Sequence, residues 1–352
     1  MKRNLILSIL VFSLFISALA SANSFDRGVA AKNANDIKTA IREFTDAAEN
    51  GSMGAELQLG YIYNGFMPTE DDYKNAVYWF DRAASDGLHA AEYELGMLYY
   101  KGHGVKKDIG RAVRLFRRAS VDDDIHDADY LLGTIYLQGA DEVRQDFREA
   151  ARWFRRGADN GNSMASYSAG MMYLEGLGVE KDTSKALKYL KASADKNNVD
   201  AQFQLGKMYT EGLDVEKDEN DGFYWIRKAS KHGIPSVDFY LSNMYKEGIG
   251  TAKNIPEAIV FLKKASEKGL SSASYQLGAM YGNGADVKQD LIEAKKYFEV
   301  AFRQGSLTAC YSLGYIYENG FGVPKNLAEA KKYYGIAADK GFEEAAKRLK
   351  NL

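Results

Sequence analysis

Apolar side chains fall three and four residues apart along nearly the whole chain, and the pattern restarts every 36 or 37 residues. In one such stretch Ala91, Leu95 and Tyr99 stand four apart on one face of a predicted first helix, while Ala112, Leu115, Phe116 and Ala119 form the apolar stripe of a second. Between the two, Gly102 and Gly104 permit left-handed backbone, and Asp108 stands where a side chain caps the next helix. Each stretch reads as an antiparallel helical hairpin. Tyr63, Tyr99, Tyr136, Tyr173, Tyr209, Tyr245, Tyr281 and Tyr317 mark eight copies, at intervals of 36, 37, 37, 36, 36, 36 and 36 residues. Units of this length cannot close a core singly, so they stack into an array whose working part is a surface.

Aligned, the copies share a small residue, Leu-Gly-x-x-Tyr, a glycine-rich loop ending in an acid or amide, then Ala-x-x-aromatic and a small pair. The fourth copy carries it as Ala165, Ala169, Gly170, Tyr173, Gly176, Gly178, Asp182, Ala186, Tyr189 and Ala194. The helix glycines Gly60, Gly96, Gly133, Gly170, Gly206, Gly278 and Gly314 each cost about 1 kcal/mol against alanine, which predicts close approach of a second backbone. Ala55, Ala91, Ala128, Ala165, Ala201, Ala273, Ala309 and Ala345 predict the matching contact at the next crossing. Ser242 replaces the glycine, Val237 the alanine and Gly222 a second-helix alanine, so irregular packing, a bend or an exposed patch is expected over 218–243. Ala40, Phe44, Ala47, Ala48 and Gly51 match a second helix without its first, and residues 344–349 match the start of a first helix without its second; both read as caps.

This consensus resembles the Sel-1-like repeat family, a relative of the tetratricopeptide repeats with a longer, glycine-bearing loop between its helices. The resemblance runs from Ala40 to about Leu349. It implies an all-α, right-handed α-solenoid (superhelix) of eight helix-turn-helix repeats of 36–37 residues, whose concave inner face is a scaffold for other proteins. The expected organisation is a signal peptide over 1–22, a capping segment over 23–54, repeats over 55–341 and a C-terminal capping helix over 342–352. Exported bacterial members are similar in layout and serve envelope assembly, signalling or contact with host cells.

Export is expected from the first residues. Lys2 and Arg3 precede an apolar run over 5–19 broken only by serines, and the small residues Ala18, Ala20 and Ala22 suit cleavage after Ala20 or Ala22. An apolar run of about fifteen residues is shorter than the roughly 20 a spanning helix needs, so no stable membrane insertion is expected once it is removed. The destination is the periplasm or the exterior. The chain has 46 basic and 48 acidic residues, and loss of Lys2 and Arg3 moves the net charge from −2 to −4. That balance argues against a nucleic-acid or anionic-membrane binder. Cys310, the single cysteine, falls inside a repeat helix as a small packed residue, so no internal disulfide is available.

With the helix glycine as zero, positions −3, +1 and +4 or +5 share one sector at 100° per residue, away from the core positions −1 and +3. In related tetratricopeptide arrays the matching face lines the groove. Aromatic and methionine side chains there offer large contact area to a protein or peptide. From the −3 row the candidate binding residues are Tyr93, Tyr130, Tyr167, Phe203, Phe239, Tyr275 and Tyr311. From the more variable +1 row, the better source of selectivity, they are Tyr61, Met97, Met171, Lys207, Asn243 and Tyr315. The −3 aromatics also read as filler between neighbouring first helices. Glu175, Glu211 and Glu247 at +5, with Glu318 at +4, read as an acidic edge or as solvated helix ends.

Little in the chain points to chemistry. His89, His103, His126 and His232 lie in or beside loops of different repeats without metal-ligand spacing, and Asp122, Asp123, Asp124 and Asp127 lack the glycine and distal glutamate of an EF-hand loop. No metal or cofactor is expected. The expected function is an exported, non-enzymatic scaffold or adaptor that binds a protein or peptide in its concave groove, in envelope assembly or signalling. One alternative is a secreted virulence or host-interaction factor. Another, from a different class, is a cell-wall-active hydrolase or β-lactam-binding enzyme, although the paired cysteines of such relatives and a Ser-x-x-Lys signature are missing.

Overall fold

The computed structural model describes residues 23–65, 68–122 and 125–352, so the expected signal peptide lies outside the described residues. Helix α1 covers 23–33 and α2 covers Ile37–Glu49. Four hairpins follow: α3 (Met53–Tyr63) with α4 (Glu70–Ser85), α5 (His89–Lys101) with α6 (Ile109–Ala119), α7 (His126–Gln138) with α8 (Phe147–Asp159), and α9 (Ser163–Glu175) with α10 (Thr183–Asp195). Four more are α11 (Val199–Glu211) with α12 (Glu219–Ser230), α13 (Pro235–Glu247) with α14 (Ile255–Glu267), α15 (Ser271–Asn283) with α16 (Leu291–Arg303), and α17 (Leu307–Asn319) with α18 (Leu327–Asp339). Helix α19 (Glu343–Leu349) comes last. Among the described residues there is no β-strand, only an isolated bridge between Ala140 and Val143, and no helix is long and apolar enough to cross a membrane. The fold is the all-α solenoid of eight helix pairs that the repeat predicts. Its contacts fall into two compact units, one ending at Tyr189 and one beginning at Leu190.

In seven of the eight hairpins, all but the first, the acid or amide closing the loop acts twice. Its side chain caps the second helix: Asp108 Oδ1 accepts from the Arg111 N–H at 2.7 Å and Asp182 Oδ1 from the Lys185 N–H at 3.0 Å. Its own N–H donates to the carbonyl of the repeat tyrosine, Asp108 to Tyr99 at 3.0 Å, Asp182 to Tyr173 at 3.0 Å and Asn326 to Tyr317 at 2.8 Å. Both ends of the loop are thereby tied to the same hairpin.

Close backbone approach occurs, but in the loop. Gly104 has φ 67°, and a Cβ there would lie 2.5 Å from the Tyr73 carbonyl carbon at the start of the preceding repeat's second helix. The helix glycines instead face side chains. A Cβ on Gly96, Gly133, Gly278 or Gly314 would lie 2.8, 2.5, 2.8 or 2.7 Å from the ring of Phe116, Phe154, Phe298 or Tyr334 respectively, each on the partner helix of the same hairpin. The expectation of a second backbone at these positions is therefore corrected: the missing Cβ makes room for a large core ring. The alanine row is buried at 0% exposure from Ala55 to Ala345, and a Cβ on Gly157 would meet the Ala165 Cβ at 2.9 Å, a small-on-small crossing between repeats.

The N-terminal segment also differs from its reading. Ala40 to Gly51 does have a first helix, α1, and a Cβ on Gly28 would lie 2.6 Å from the Phe44 ring, the same glycine-to-ring relation as in the repeats. Its connection is short and turns through Asn35 at φ 60°, so the interval of 36 residues fails and the tyrosine position holds Ala31. Over 218–243 the replacing residues Gly222, Val237 and Ser242 are all buried, whereas Tyr224 and Ile234 in the same stretch are 56% and 40% exposed. Gly222 makes room for Thr210, whose backbone nitrogen would lie 2.9 Å from an added Cβ. Opposite Ser242 the register places Leu262, not a ring.

A buried carboxylate recurs on the first helices, paired in three hairpins with an arginine of the same hairpin's second helix. Glu56, Glu92, Asp129 and Asp238 stand four residues before the helix glycine or its replacement and are each 1% exposed. Glu56 pairs with Arg82 at 2.8 Å, Glu92 pairs with Arg118, and Asp129 meets Arg156 at 3.6 Å. The same guanidiniums reach the last carbonyls of the preceding second helix, Arg82 to Ala48 O at 3.4 Å and Arg118 to Ala84 O at 3.2 Å. Burial raises the Glu56 carboxyl above the ordinary glutamate range despite Arg82.

Candidate functional site

In the first unit Tyr61, Tyr93, Met97, Tyr130, Tyr167 and Met171 lie on the first helices, and only Tyr61, 36% exposed, is open to solvent; the other five are half-buried. The Tyr61 ring meets Phe80 edge-on at 5.6 Å, while Tyr93 and Tyr130 lie 5.8 and 5.9 Å from Phe116 and Phe154. Burial pushes the Tyr93 hydroxyl up to about 12, with the charges of Asp127 and Glu94 adding to it. Burial and Glu94 likewise raise Tyr61, and burial raises the Glu94 carboxyl itself. Tyr61 stands on α3, and Tyr93 and Glu94 on α5, the first helix of the next repeat.

In the second unit Phe203 meets Tyr240 of the next repeat edge-on at 5.5 Å, and the Tyr240 hydroxyl donates to Glu211 Oε1 at 3.2 Å. Asn243 Oδ1 accepts from Gln276 Nε2 at 2.9 Å, again across repeats. Lys207 and Phe239 are half-buried, the latter packed on the Leu262 and Leu277 cluster. Tyr275 lies 5.4 Å from Phe298, and Tyr311 sits between Tyr334 and Phe342 at 5.3 and 5.6 Å. Tyr315 is 43% exposed, 5.7 Å from the Phe321 ring and 5.9 Å under the Arg348 guanidinium.

Most −3 side chains therefore fill space against the core ring of their own hairpin, and the +1 row is the more open one at Tyr61 and Tyr315. Sequence reasoning missed the −2 residues Glu94, Tyr240 and Gln276. Position −2 projects at about 160° on the helical wheel, beside +5 at about 140°, so the same geometry would have found it. The acidic edge is corrected in part. Glu318 is held by Arg348, at 2.7 and 2.9 Å, and by the Tyr334 hydroxyl at 2.8 Å, and Arg348 keeps its carboxyl below the usual range. Among the described residues no group of three His, Cys, Asp or Glu side chains could hold a metal ion. His89 Nδ1 lies 3.0 Å from Glu92, and the His103 ring packs 4.5 Å from Tyr73. Of the candidate calcium ligands, Asp123 and Asp124 lie outside the described residues.

The Sel1 repeat model matches eight successive segments, 54–88, 89–120, 126–162, 163–198, 199–234, 237–270, 271–306 and 307–342. A solved structure of a protective antigen present in uropathogenic Escherichia coli strains, displaying an SLR fold, is 32% identical with a TM-score of 0.78. The match covers 88% of this chain but 66% of the antigen's, so this chain spans just under two thirds of it. A Sel1 repeat protein from Oxalobacter formigenes is 28% identical over 88% of this chain and 89% of its own, with a TM-score of 0.69. No curated protein matches the chain. Sel1-repeat proteins generally mediate protein–protein interaction. With eight consecutive repeat matches and the glycine-to-ring hairpin in hand, the chain belongs to the Sel1 repeat family.

Proposed function

We propose that this chain is an exported, non-enzymatic adaptor that binds a protein or peptide on the first-helix faces of its repeats. The observation that carries the reading is the exposed Tyr61 on α3, with the half-buried Tyr93, Glu94 and Met97 on the first helix of the next repeat: aromatic area, a hydroxyl and a carboxyl on successive first helices. In the second unit Tyr315 and Phe321 offer a similar open pair. The predicted leader supports export to the periplasm or beyond. A role facing a host is the second reading, favoured by the similarity to a protective antigen of uropathogenic strains.

The test is capture from envelope and host-cell extracts with the full chain beside a Met97→Ala, Met171→Ala, Tyr315→Ala variant. A partner retained by the native chain and lost by the variant is the expected result. Equal retention by both removes the first-helix faces from the proposal, and an N-terminal sequence that still begins with Met1 after expression in a bacterium removes export by this leader.

A further inference from the structure

The second helices of repeats two and three carry a charge pattern that the repeat does not require. Helix α6 has four arginines and no acid; α8 has four arginines with Glu149 and Asp159, in a chain whose net charge is −2. Elsewhere the second helices use mainly lysine, as in α10, α14 and α18. Arg118 and Arg156 are engaged by Glu92 and Asp129, Arg111 meets Asp81 at 3.0 Å, and Arg117 and Arg152 share Glu149 at 3.7 and 3.4 Å. Arg114, Arg148 and Arg155 are exposed and have no carboxylate partner among the described residues.

Arg114 and Arg155 each border a shallow cleft, and Arg148 lies one turn before Arg152 on α8. Arg111, Arg114 and Arg118 border one of about 400 Å³ with Asp81 and Ser85, and Arg152, Arg155 and Arg156 border one of about 270 Å³ beside Trp153. The two helices are in contact, since Arg117 of α6 lies 5.9 Å from the Trp153 ring of α8. The Trp153 indole N–H is buried and has no acceptor among the described residues.

We infer that the α6–α8 face is a docking surface for an acidic peptide segment of a partner protein, its carboxylates held by Arg114, Arg148 and Arg155. The inference rests on the reading of the chain as a protein-binding adaptor and places a second contact on it. Arginine in place of lysine provides planar, two-pronged hydrogen bonding that matches a carboxylate. Adjacent helices lie about 8–10 Å apart and an extended peptide advances about 3.3 Å per residue, so acids about three residues apart would reach both helices. A densely charged polyanion or an anionic membrane is a poorer fit, because Glu149 and Asp159 interrupt the face and the whole chain repels it.

The probe is a fluorescent twelve-residue peptide with glutamate at every third position, beside its glutamine counterpart and vesicles of phosphatidylglycerol. The native chain should bind the glutamate peptide at least tenfold more tightly than the glutamine one. An Arg114→Glu, Arg148→Glu, Arg155→Glu variant should lose that preference, and an Arg114→Lys, Arg148→Lys, Arg155→Lys variant should weaken it several-fold while keeping the charge. Equal binding of the two peptides, or an unchanged preference in the Glu variant, overturns the inference, as does arginine-dependent binding to vesicles alone. None of these outcomes touches Met97, Met171 or Tyr315, so the first-helix proposal stands or falls separately.

Discussion

Gly133 on α7 leaves the space that the Phe154 ring of α8 occupies: a Cβ on the glycine would lie 2.5 Å from the ring. Phe154 is 1% exposed, so the ring has no free side to retreat to. Gly133→Ala should therefore destabilise by about 1–3 kcal/mol through overpacking, outweighing the gain of about 1 kcal/mol in helix propensity. Combining it with Phe154→Leu, the pairing that Ser242 and Leu262 already show, should cost less than the two changes summed. Urea melts of the four proteins read this directly, and simple additivity would count against the shared-space account.

The guanidinium of Arg118 meets a carboxylate that is 1% exposed, and it reaches Ala84 O as well. Removing it with Arg118→Ala leaves Glu92 buried with His89 as its remaining polar neighbour at 3.0 Å. The expected loss is about 2–3 kcal/mol, below the range for a wholly buried pair because the Arg118 side chain is 56% exposed. Glu92→Gln in the same background should restore part of it. Hydrogen exchange at the end of α4 should rise in both variants, because both lose the contact with Ala84 O, while the urea midpoint recovers only in the double.

Glu318 ties α17 to α18 and α19 through Tyr334 and Arg348. Its carboxyl lies below the ordinary value of 4.5 in the folded chain, so its contribution is present above 4.5 and disappears as pH falls through the lowered value. Acidification should loosen α19 before the repeats that lack such a tie. Exchange rates in α19 compared for the native chain and Glu318→Gln should converge at low pH and differ at neutrality; a difference that persists in acid would rule out this tie.

Cys310 is 0% exposed, and its Sγ donates to Tyr333 O at 3.2 Å. Burial pushes the thiol up, so little thiolate is present near neutrality. Iodoacetamide should leave the native chain unmodified at pH 8 and label it fully in denaturant, as mass spectrometry would show. Rapid native labelling would mean that α17 and α18 separate.

The hairpins were legible because their signals are local. Four-residue spacing of Ala91, Leu95 and Tyr99 fixes a helix face, and Asp108 marks a helix start wherever it occurs. The site was legible only as a sector: the wheel gives Tyr61 and Met97 and, read one position further, Glu94, but it does not give the pairing of Asn243 with Gln276 or that of Arg348 with Glu318. Those pairings depend on which side chains of distant segments meet, and no periodicity encodes that.

The same division holds for the small residues. Sequence alone fixed where a Cβ is missing and how often, because a glycine in a helix is costly and does not recur without a cause. What fills the space was decided in three dimensions: a ring at Gly133 and Gly28, backbone at Gly104, a hydroxyl side chain at Gly222. Eight copies, the loop caps and the helix faces follow from short-range spacing within one hairpin. The reach of Arg82 and Arg118 to the preceding helix, and the pairing of Arg111 with Asp81 and of Arg117 with Glu149, follow from packing between hairpins, where distance along the chain no longer measures distance in space.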